Sequence, residues 1–267
     1  MKKILDILET QMKTPLSYGC FHVMWLVATL AVIVLLIVIK RRNDEKQLKF
    51  VLGIYSVVAL ILEALKQLIW AVDYDAITKS FVWDYEWYAF PFQLCTMPIY
   101  ICLLCLFFRK GRLRDSLLAF IAYVTILGSI ASAVMPNSLF VSDALVNIHA
   151  MWLHLGSLAV SIYLLITMEV PTDRTSFKRA IGVFIAIVVI ANILNIWVYN
   201  SEILKGETFN MLYISPYFES TLPIFSSIYS NVPYPLFLII YIFAVSLGAY
   251  IIYSVAYAIS KIREKFI

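Results

Sequence analysis

The sequence predicts an all-α polytopic membrane protein, a bundle of about seven transmembrane helices. Hydrophobic residues make up 62% of its 267 positions, and only 14% are charged. Apolar runs long enough to cross the hydrocarbon layer, which takes about 20 residues, recur along the chain. Soluble domains do not carry this much apolar surface, so we expect a protein that resides in the membrane.

Seven apolar segments are predicted to form the transmembrane helices. The first is too long to be a cleaved signal, and Lys40, Arg41 and Arg42 follow it where a signal would have small residues. The third segment has Pro91 just before it and Pro98 inside it, so its outer end is expected to be irregular. The predicted spans are 21–39, 48–72, 92–108, 115–135, 146–168, 178–199 and 235–259.

The distribution of lysine and arginine predicts the orientation of the bundle. Of the 21 basic residues, 15 fall in the connections 40–49, 109–114 and 171–179 and in the tail from Lys261. Basic loops face the cytoplasm, which puts the N-terminus outside and the C-terminus in the cytoplasm. The net charge of +4 follows from this topology, and no basic face with interleaved aromatics indicates nucleic-acid binding.

The chain divides into a short outer segment, one membrane domain and a tail. Residues 1–20 are predicted to be extracytoplasmic, 21–259 to form a single seven-helix domain, and 260–267 to be cytoplasmic. Two outer loops are long, 73–91 and 200–234. The second is too apolar to be disordered, so we expect it to lie over the outer helix ends as a lid or on the membrane surface.

Reactive and polar side chains concentrate in the outer half of the predicted bundle. In hydrocarbon such groups cost several kcal/mol unless they are paired or face a cavity, so a cluster at one depth is a site hypothesis. The cluster comprises His22, Glu63, Lys66, Cys95, His154, Asn192 and Asn195.

Each member of this cluster has a structural alternative. Cys95 is either a nucleophile that needs a base or an inert buried thiol. His154 is either that base or an imidazole bonded to a neighbouring helix, and Asn195 either orients it or joins helices. Glu63 and Lys66, three residues apart, favour a structural ion pair. His149 is expected to cap its helix or face the interface.

Cysteine, histidine and asparagine together are the minimal set for acyl transfer. A thiolate attacks an ester carbonyl, the imidazole moves the proton, and the amide orients the imidazole or holds the oxyanion. No zinc-ligand spacing and no nucleotide-binding motif appears, so we expect neither metal nor cofactor. The alternatives are a small-solute transporter and a membrane protein that binds a lipid or peptide.

Short motifs give the chain a resemblance to a known family. It resembles the YwaF-like bacterial integral membrane proteins and, more distantly, the animal transmembrane protein 164 acyltransferases. The motifs are Phe21-His22, Gln93-Leu94-Cys95, His154 with Gly156, Asn195, Asn210-Met211-Leu212-Tyr213-Ile214 and Pro233-Tyr234-Pro235.

The resemblance implies a Cys/His-dependent lipid acyltransferase or acyl hydrolase of the cell membrane, most simply a bacterial plasma membrane. Its substrates would be membrane phospholipids. Cys95 would be the nucleophile and His154 its partner. Support is expected from His22, Glu63, Gln93, Asn195, Asn210 and Tyr213. The chain departs from the family pattern at Thr96, where an acidic residue is expected after the motif cysteine.

Overall fold

The computed structural model describes residues 2–39 and 44–266 and is predominantly helical, as predicted. In this part of the chain, six helices are long and apolar enough to cross a membrane. Outside the described residues lie Met1, Ile267 and the segment 40–43. This segment includes Lys40, Arg41 and Arg42, which were used to predict the orientation. The helices are α1 Lys2–Leu8, α2 Cys20–Ile39, α3 Glu45–Ile69, α4 Met97–Phe107, α5 Arg112–Val134, α6 Ala144–Ile166, α7 Arg174–Asn200, α8 Phe225–Tyr229 and α9 Tyr234–Phe266.

The third predicted span is shorter than expected. Segment 92–108 contains only the 11-residue helix α4, which at 1.5 Å per residue is about 16 Å long, roughly half of the hydrocarbon thickness. The outer part of the segment is a turn. Pro98 sits in the first turn of α4, where proline starts a helix readily but does not continue one from upstream. The count of full-length spans is therefore six, with α4 as a seventh, shorter helix.

The basic connections meet at one end of the bundle. Arg114 is buried and donates two hydrogen bonds to the Glu45 carboxylate, at 2.8 and 3.0 Å. This pair joins the first turn of α3 to the first turn of α5. Two further contacts extend the group: Arg179 to Asp115 at 3.6 Å, and the hydroxyls of Thr172 and Ser260 at 2.9 Å. The positive-inside rule predicts that this end faces the cytoplasm.

The opposite end carries a β-hairpin that the sequence did not predict. Strands β1 Val72–Asp75 and β2 Ser80–Trp83 pair antiparallel. The Asp75 carboxylate accepts hydrogen bonds from the Ile77 N–H at 2.8 Å and the Thr78 hydroxyl at 2.7 Å, which closes the turn. The N-terminal helix α1 packs beside the hairpin through Leu5.

The long loop between α7 and α9 enters the core of the bundle. Phe209, Met211, Leu212 and Ile214 are each at most 1% exposed. The ring of Phe209 packs 5.4 Å from that of Phe90. The loop was expected to cover the helix ends or lie on the membrane surface; instead it fills the outer end of the bundle, because its apolar side chains are buried more completely there.

Two neighbouring helices each contain a π-helical turn. One spans Ile121–Thr125 in α5 and the other Trp152–Gly156 in α6. The hydroxyl of Ser161 donates to the Ile121 carbonyl at 2.9 Å, which satisfies a backbone group that the wider turn leaves free. Such turns occur frequently at functional sites, and the one in α6 contains His154.

Glycine at position 156 permits close contact between α6 and α3. A Cβ there would lie 3.0 and 3.1 Å from two ring carbons of Tyr55. That ring is buried, and its hydroxyl donates to the Leu153 carbonyl at 3.2 Å, so it has little freedom to move. Gly156→Ala should therefore lower the unfolding free energy by about 1–3 kcal/mol, measured as a lower melting temperature in detergent.

Gly248→Ala is the matched control. Its Cβ would lie 2.9 Å from the Cδ1 atom of Leu127, the end of a flexible side chain. The smaller effect is expected at Gly248, since Leu127 can rotate away. Equal melting temperatures for the two variants would show that the Tyr55 contact does not limit the approach of the helices.

Candidate functional site

Cys95 lies in a tight turn immediately before α4, and Thr96 organises that turn. The Thr96 hydroxyl accepts from the Gln93 N–H at 3.0 Å and lies 2.9 Å from the Gln93 carbonyl oxygen and 3.2 Å from that of Pro91. Thr96 occupies the position where an acidic residue was expected. Cys95 is half-buried, whereas Cys102 and Cys105 are fully buried inside α4. Of these three thiols, only Cys95 is partly accessible.

Two side-chain amides attach the 210–214 loop to the rest of the site. Gln93 donates to the Asn210 carbonyl at 3.1 Å and accepts from the Leu212 N–H at 2.8 Å. Asn195 on α7 donates to the Met211 carbonyl at 3.1 Å and accepts from the Met211 N–H at 2.7 Å. We call Gln93 and Asn195 the amide clamp. The clamp joins the loop to the turn that carries Cys95.

Asn210 closes the same loop from within. Its side-chain oxygen accepts from the Ser215 N–H at 2.8 Å, and its amide nitrogen donates to the Glu219 carbonyl at 2.9 Å. The structure thus brings Gln93, Asn195 and Asn210 together, as supporting residues of one loop. Asn195 holds this loop and makes no hydrogen bond to His154 in the described part of the chain.

The clamped loop contains consecutive residues in the left-handed region. Leu212 has φ 58° and ψ 10°, and Tyr213 has φ 58°. For residues with a side chain this conformation costs roughly 1–2 kcal/mol each. Such strain persists only where the surroundings hold it, and it is common at functional sites. Here the amide clamp holds the backbone on the N-terminal side of Tyr213.

A buried ion cluster joins α3 to α6. Glu63 is only 3% exposed and contacts the Lys66 ammonium and the His149 imidazole, each at 2.8 Å. The Gln67 amide donates to the Glu63 carboxylate at 2.8 Å and to the Ala89 carbonyl at 2.7 Å. The predicted Glu63–Lys66 pair is present.

His149 is the member of the cluster that sequence reasoning missed. It was expected to cap its helix or face the interface, but it is 4% exposed and pairs with Glu63. The available signal was the charge of Glu63, because a carboxylate in an apolar helix needs cationic or donor partners. Lys66, three residues after Glu63, already provided one such partner, so the sequence offered no reason to look for a second.

His154 faces α5 and a seam of serines. Its Nδ1 atom lies 2.9 Å from the Ser132 hydroxyl, and its carbonyl accepts from Ser157 at 2.9 Å. Ser157 in turn contacts Ser129 at 2.7 Å. Among the described residues, the Nε2 atom of His154 has no hydrogen-bond partner, and no hydrogen bond joins His154 to Cys95. The pairing of these two residues stays a prediction.

His22 lies in a separate aromatic cluster. It is fully buried, and its Nδ1 atom accepts from the Tyr18 N–H at 3.1 Å. Its ring packs 5.8 Å from that of Phe140. In the described part of the chain, no hydrogen bond or ring contact links His22 to Cys95 or His154.

An acidic groove lies between α1 and the hairpin, away from Cys95. Its volume is about 540 Å³, and its acidic lining residues are Asp6, Glu9, Asp73, Asp75 and Asp84. Partial burial, and then the neighbouring carboxylates, raise the pKa of Glu9. Across residues 2–39 and 44–266, no three His, Cys, Asp or Glu side chains are grouped so that they could hold a metal ion.

The amide clamp should be a major source of stability at the outer end. Asn195→Leu would leave the N–H and carbonyl of Met211 buried without partners, at about 1–3 kcal/mol for each group. Thermal unfolding in detergent, followed by tryptophan fluorescence, should show a clearly lower melting temperature. Asn200→Leu on the same helix is the control, because Asn200 is exposed. Equal melting temperatures for the two variants would contradict the clamp.

The ion cluster predicts an order of stability among single variants. Glu63→Leu leaves both Lys66 and His149 without their carboxylate and should cost about 3–5 kcal/mol. Lys66→Met should cost less, since Glu63 keeps His149 and Gln67 as partners. Chemical unfolding of both variants measures the order. A larger loss for Lys66→Met would show that Glu63 is not the centre of the cluster.

Comparison with known proteins identifies the family. The family model described as the TMEM164 family matches residues 17–253, which is most of the chain. The match includes Cys95, His154, both residues of the amide clamp and the 210–214 loop. No curated protein and no solved structure has significant similarity to the chain.

Proposed function

Because the chain belongs to the TMEM164 family of membrane proteins, we propose that it is an acyltransferase that moves fatty acyl groups between phospholipids through a thioester at Cys95. The observation that carries this proposal is the placement of Cys95. Cys95 lies in a rigidly bonded turn that the amide clamp joins to a strained loop, and it is less buried than Cys102 and Cys105. An inert core thiol needs none of these surroundings.

The proposed reaction has two displacement steps. The Cys95 thiolate attacks the carbonyl carbon of a phospholipid ester, the C–S bond forms, and the ester C–O bond breaks. The released lysolipid alkoxide takes a proton. The hydroxyl of an acceptor lipid then attacks the thioester, which returns the thiol and forms the new ester. Each acyl bond broken is replaced, so the transfer needs no cofactor.

His154 is the proposed proton carrier. Its contact with Ser132 occupies Nδ1 and leaves Nε2 as the nitrogen available for chemistry. It would accept the Cys95 proton and return it to the leaving alkoxide. Catalytic hydrogen bonds are often absent before substrate binds, so the ligand-free arrangement is compatible with this role.

The membrane itself supports a lipid as the substrate. Esters of phospholipids reside where the six long apolar helices reside, so no transfer of an acyl chain into water is required. The basic end of the bundle would face the cytoplasm and the Cys95 end the outer leaflet. For a bacterial protein this places the reaction in the plasma membrane.

Acyl transfer should require Cys95 but not the neighbouring thiol. We expect proteoliposomes with a deuterium-labelled diacyl phospholipid and an unlabelled lysophospholipid to form labelled product. Cys95→Ala should abolish this, and His154→Ala should slow it by about 10²–10⁴-fold, the usual contribution of a general acid–base group. The readout is lipid mass spectrometry.

Cys102→Ala is the matched control, because that thiol is fully buried in α4, the helix that follows Cys95, and should not be needed. Transfer that persists in Cys95→Ala at the wild-type rate would refute the proposed nucleophile. If wild-type protein and the Cys102→Ala variant are folded but transfer no label, the acyltransferase proposal itself is wrong.

A further inference from the structure

The amide clamp holds a loop whose Tyr213 hydroxyl makes no hydrogen bond among the described residues. Tyr213 follows Leu212, whose N–H is bonded to Gln93, two residues from Cys95. Among the described residues, its hydroxyl makes no hydrogen bond, although the residue is half-buried. A partly exposed phenol on a firmly held loop, with no partner of its own, is free to donate to a ligand group.

Neighbouring tyrosines behave differently. The hydroxyl of Tyr229 donates to the Ser215 carbonyl at 3.1 Å, and that of Tyr234 donates to the Ile214 carbonyl at 3.0 Å. Both therefore stabilise the loop that contains Tyr213. Tyr213 differs from these two tyrosines because its hydroxyl makes no hydrogen bond among the described residues.

We propose that Tyr213 is a catalytic hydrogen-bond donor that stabilises the oxyanion formed when Cys95 attacks an acyl ester. This inference rests on the proposed function and assigns the oxyanion donor of that reaction. In the first step the C–S bond forms, and the carbonyl π electrons move to oxygen. The Tyr213 O–H donates to that oxygen without transferring its proton. When the carbonyl re-forms, the ester C–O bond breaks and the alkoxide leaves with a proton from the imidazole.

The clamp supplies what an oxyanion donor requires. A donor that is already oriented needs no reorganisation as charge develops, and it acts most strongly where water is excluded. Four hydrogen bonds from Gln93 and Asn195 fix the backbone on the N-terminal side of Tyr213. These two residues are positioning residues, since they act on the reaction only through the loop.

The test is the rate at which the Cys95 thioester forms. Wild-type protein and Tyr213→Phe are mixed with phosphatidylcholine vesicles, quenched at intervals and analysed by intact-protein mass spectrometry. Loss of one oxyanion donor should slow acylation by about 100-fold. The melting temperature should not fall, because the lost hydroxyl has no bond within the protein.

Tyr229→Phe is the matched control with the opposite signature. It removes a bonded hydroxyl from the same loop, so it should lower the melting temperature and leave the acylation rate nearly unchanged. If Tyr213→Phe is poorly folded, a fluorinated tyrosine placed at position 213 keeps the ring and makes a stronger donor, and it should accelerate acylation.

The outcomes separate the two proposals. A wild-type protein that acylates at Cys95 while Tyr213→Phe acylates within twofold of its rate would overturn the role of Tyr213 alone. An unchanged rate with the fluorinated tyrosine would do the same. A folded wild-type protein with no adduct at Cys95 would overturn the proposed function and, with it, this assignment.

Discussion

The hydrogen bonds of the Gln93 side chain connect the two parts of the candidate site. Gln93 lies in the turn that carries Cys95, and its amide bonds to two residues of the 210–214 loop. Asn195, on α7, bonds to Met211, which lies between those two residues. These amides, together with the bonds that Asn210 and Tyr234 make to the same loop, hold the left-handed backbone at Leu212 and Tyr213. The site therefore depends on a rigid polar contact within an apolar bundle.

Much of this arrangement could be predicted from the sequence, because a bilayer restricts what a chain can do. The length of the apolar runs predicted the six long helices. The positions of the basic residues predicted that their connections lie at one end of the bundle. The cost of a charge in hydrocarbon identified Glu63 and Lys66 as a pair. The family match over residues 17–253 confirms the resemblance inferred from the short motifs.

What could not be predicted depends on contacts between distant parts of the chain. His149 pairs with Glu63 across two helices, and no local pattern encodes that contact. The shortness of α4 depends on the turn that Thr96 organises. The outer loop was expected to lie over the helix ends as a lid or on the membrane surface, and its residues Met211 and Leu212 are buried. Among the described residues, His154 has no partner at Nε2 and no hydrogen bond to Cys95. The catalytic pairing of His154 with Cys95 therefore has to be tested by experiment.

The most direct measurement is the chemical nature and position of an acyl adduct. Protein incubated with phospholipid vesicles is digested, and the peptide containing Cys95 is analysed before and after neutral hydroxylamine, which cleaves thioesters but spares ordinary oxygen esters. A fatty-acyl mass on that peptide, removed by hydroxylamine, is the predicted result. An acyl mass on another residue, or none on folded protein that transfers acyl chains, would contradict a thioester mechanism at Cys95.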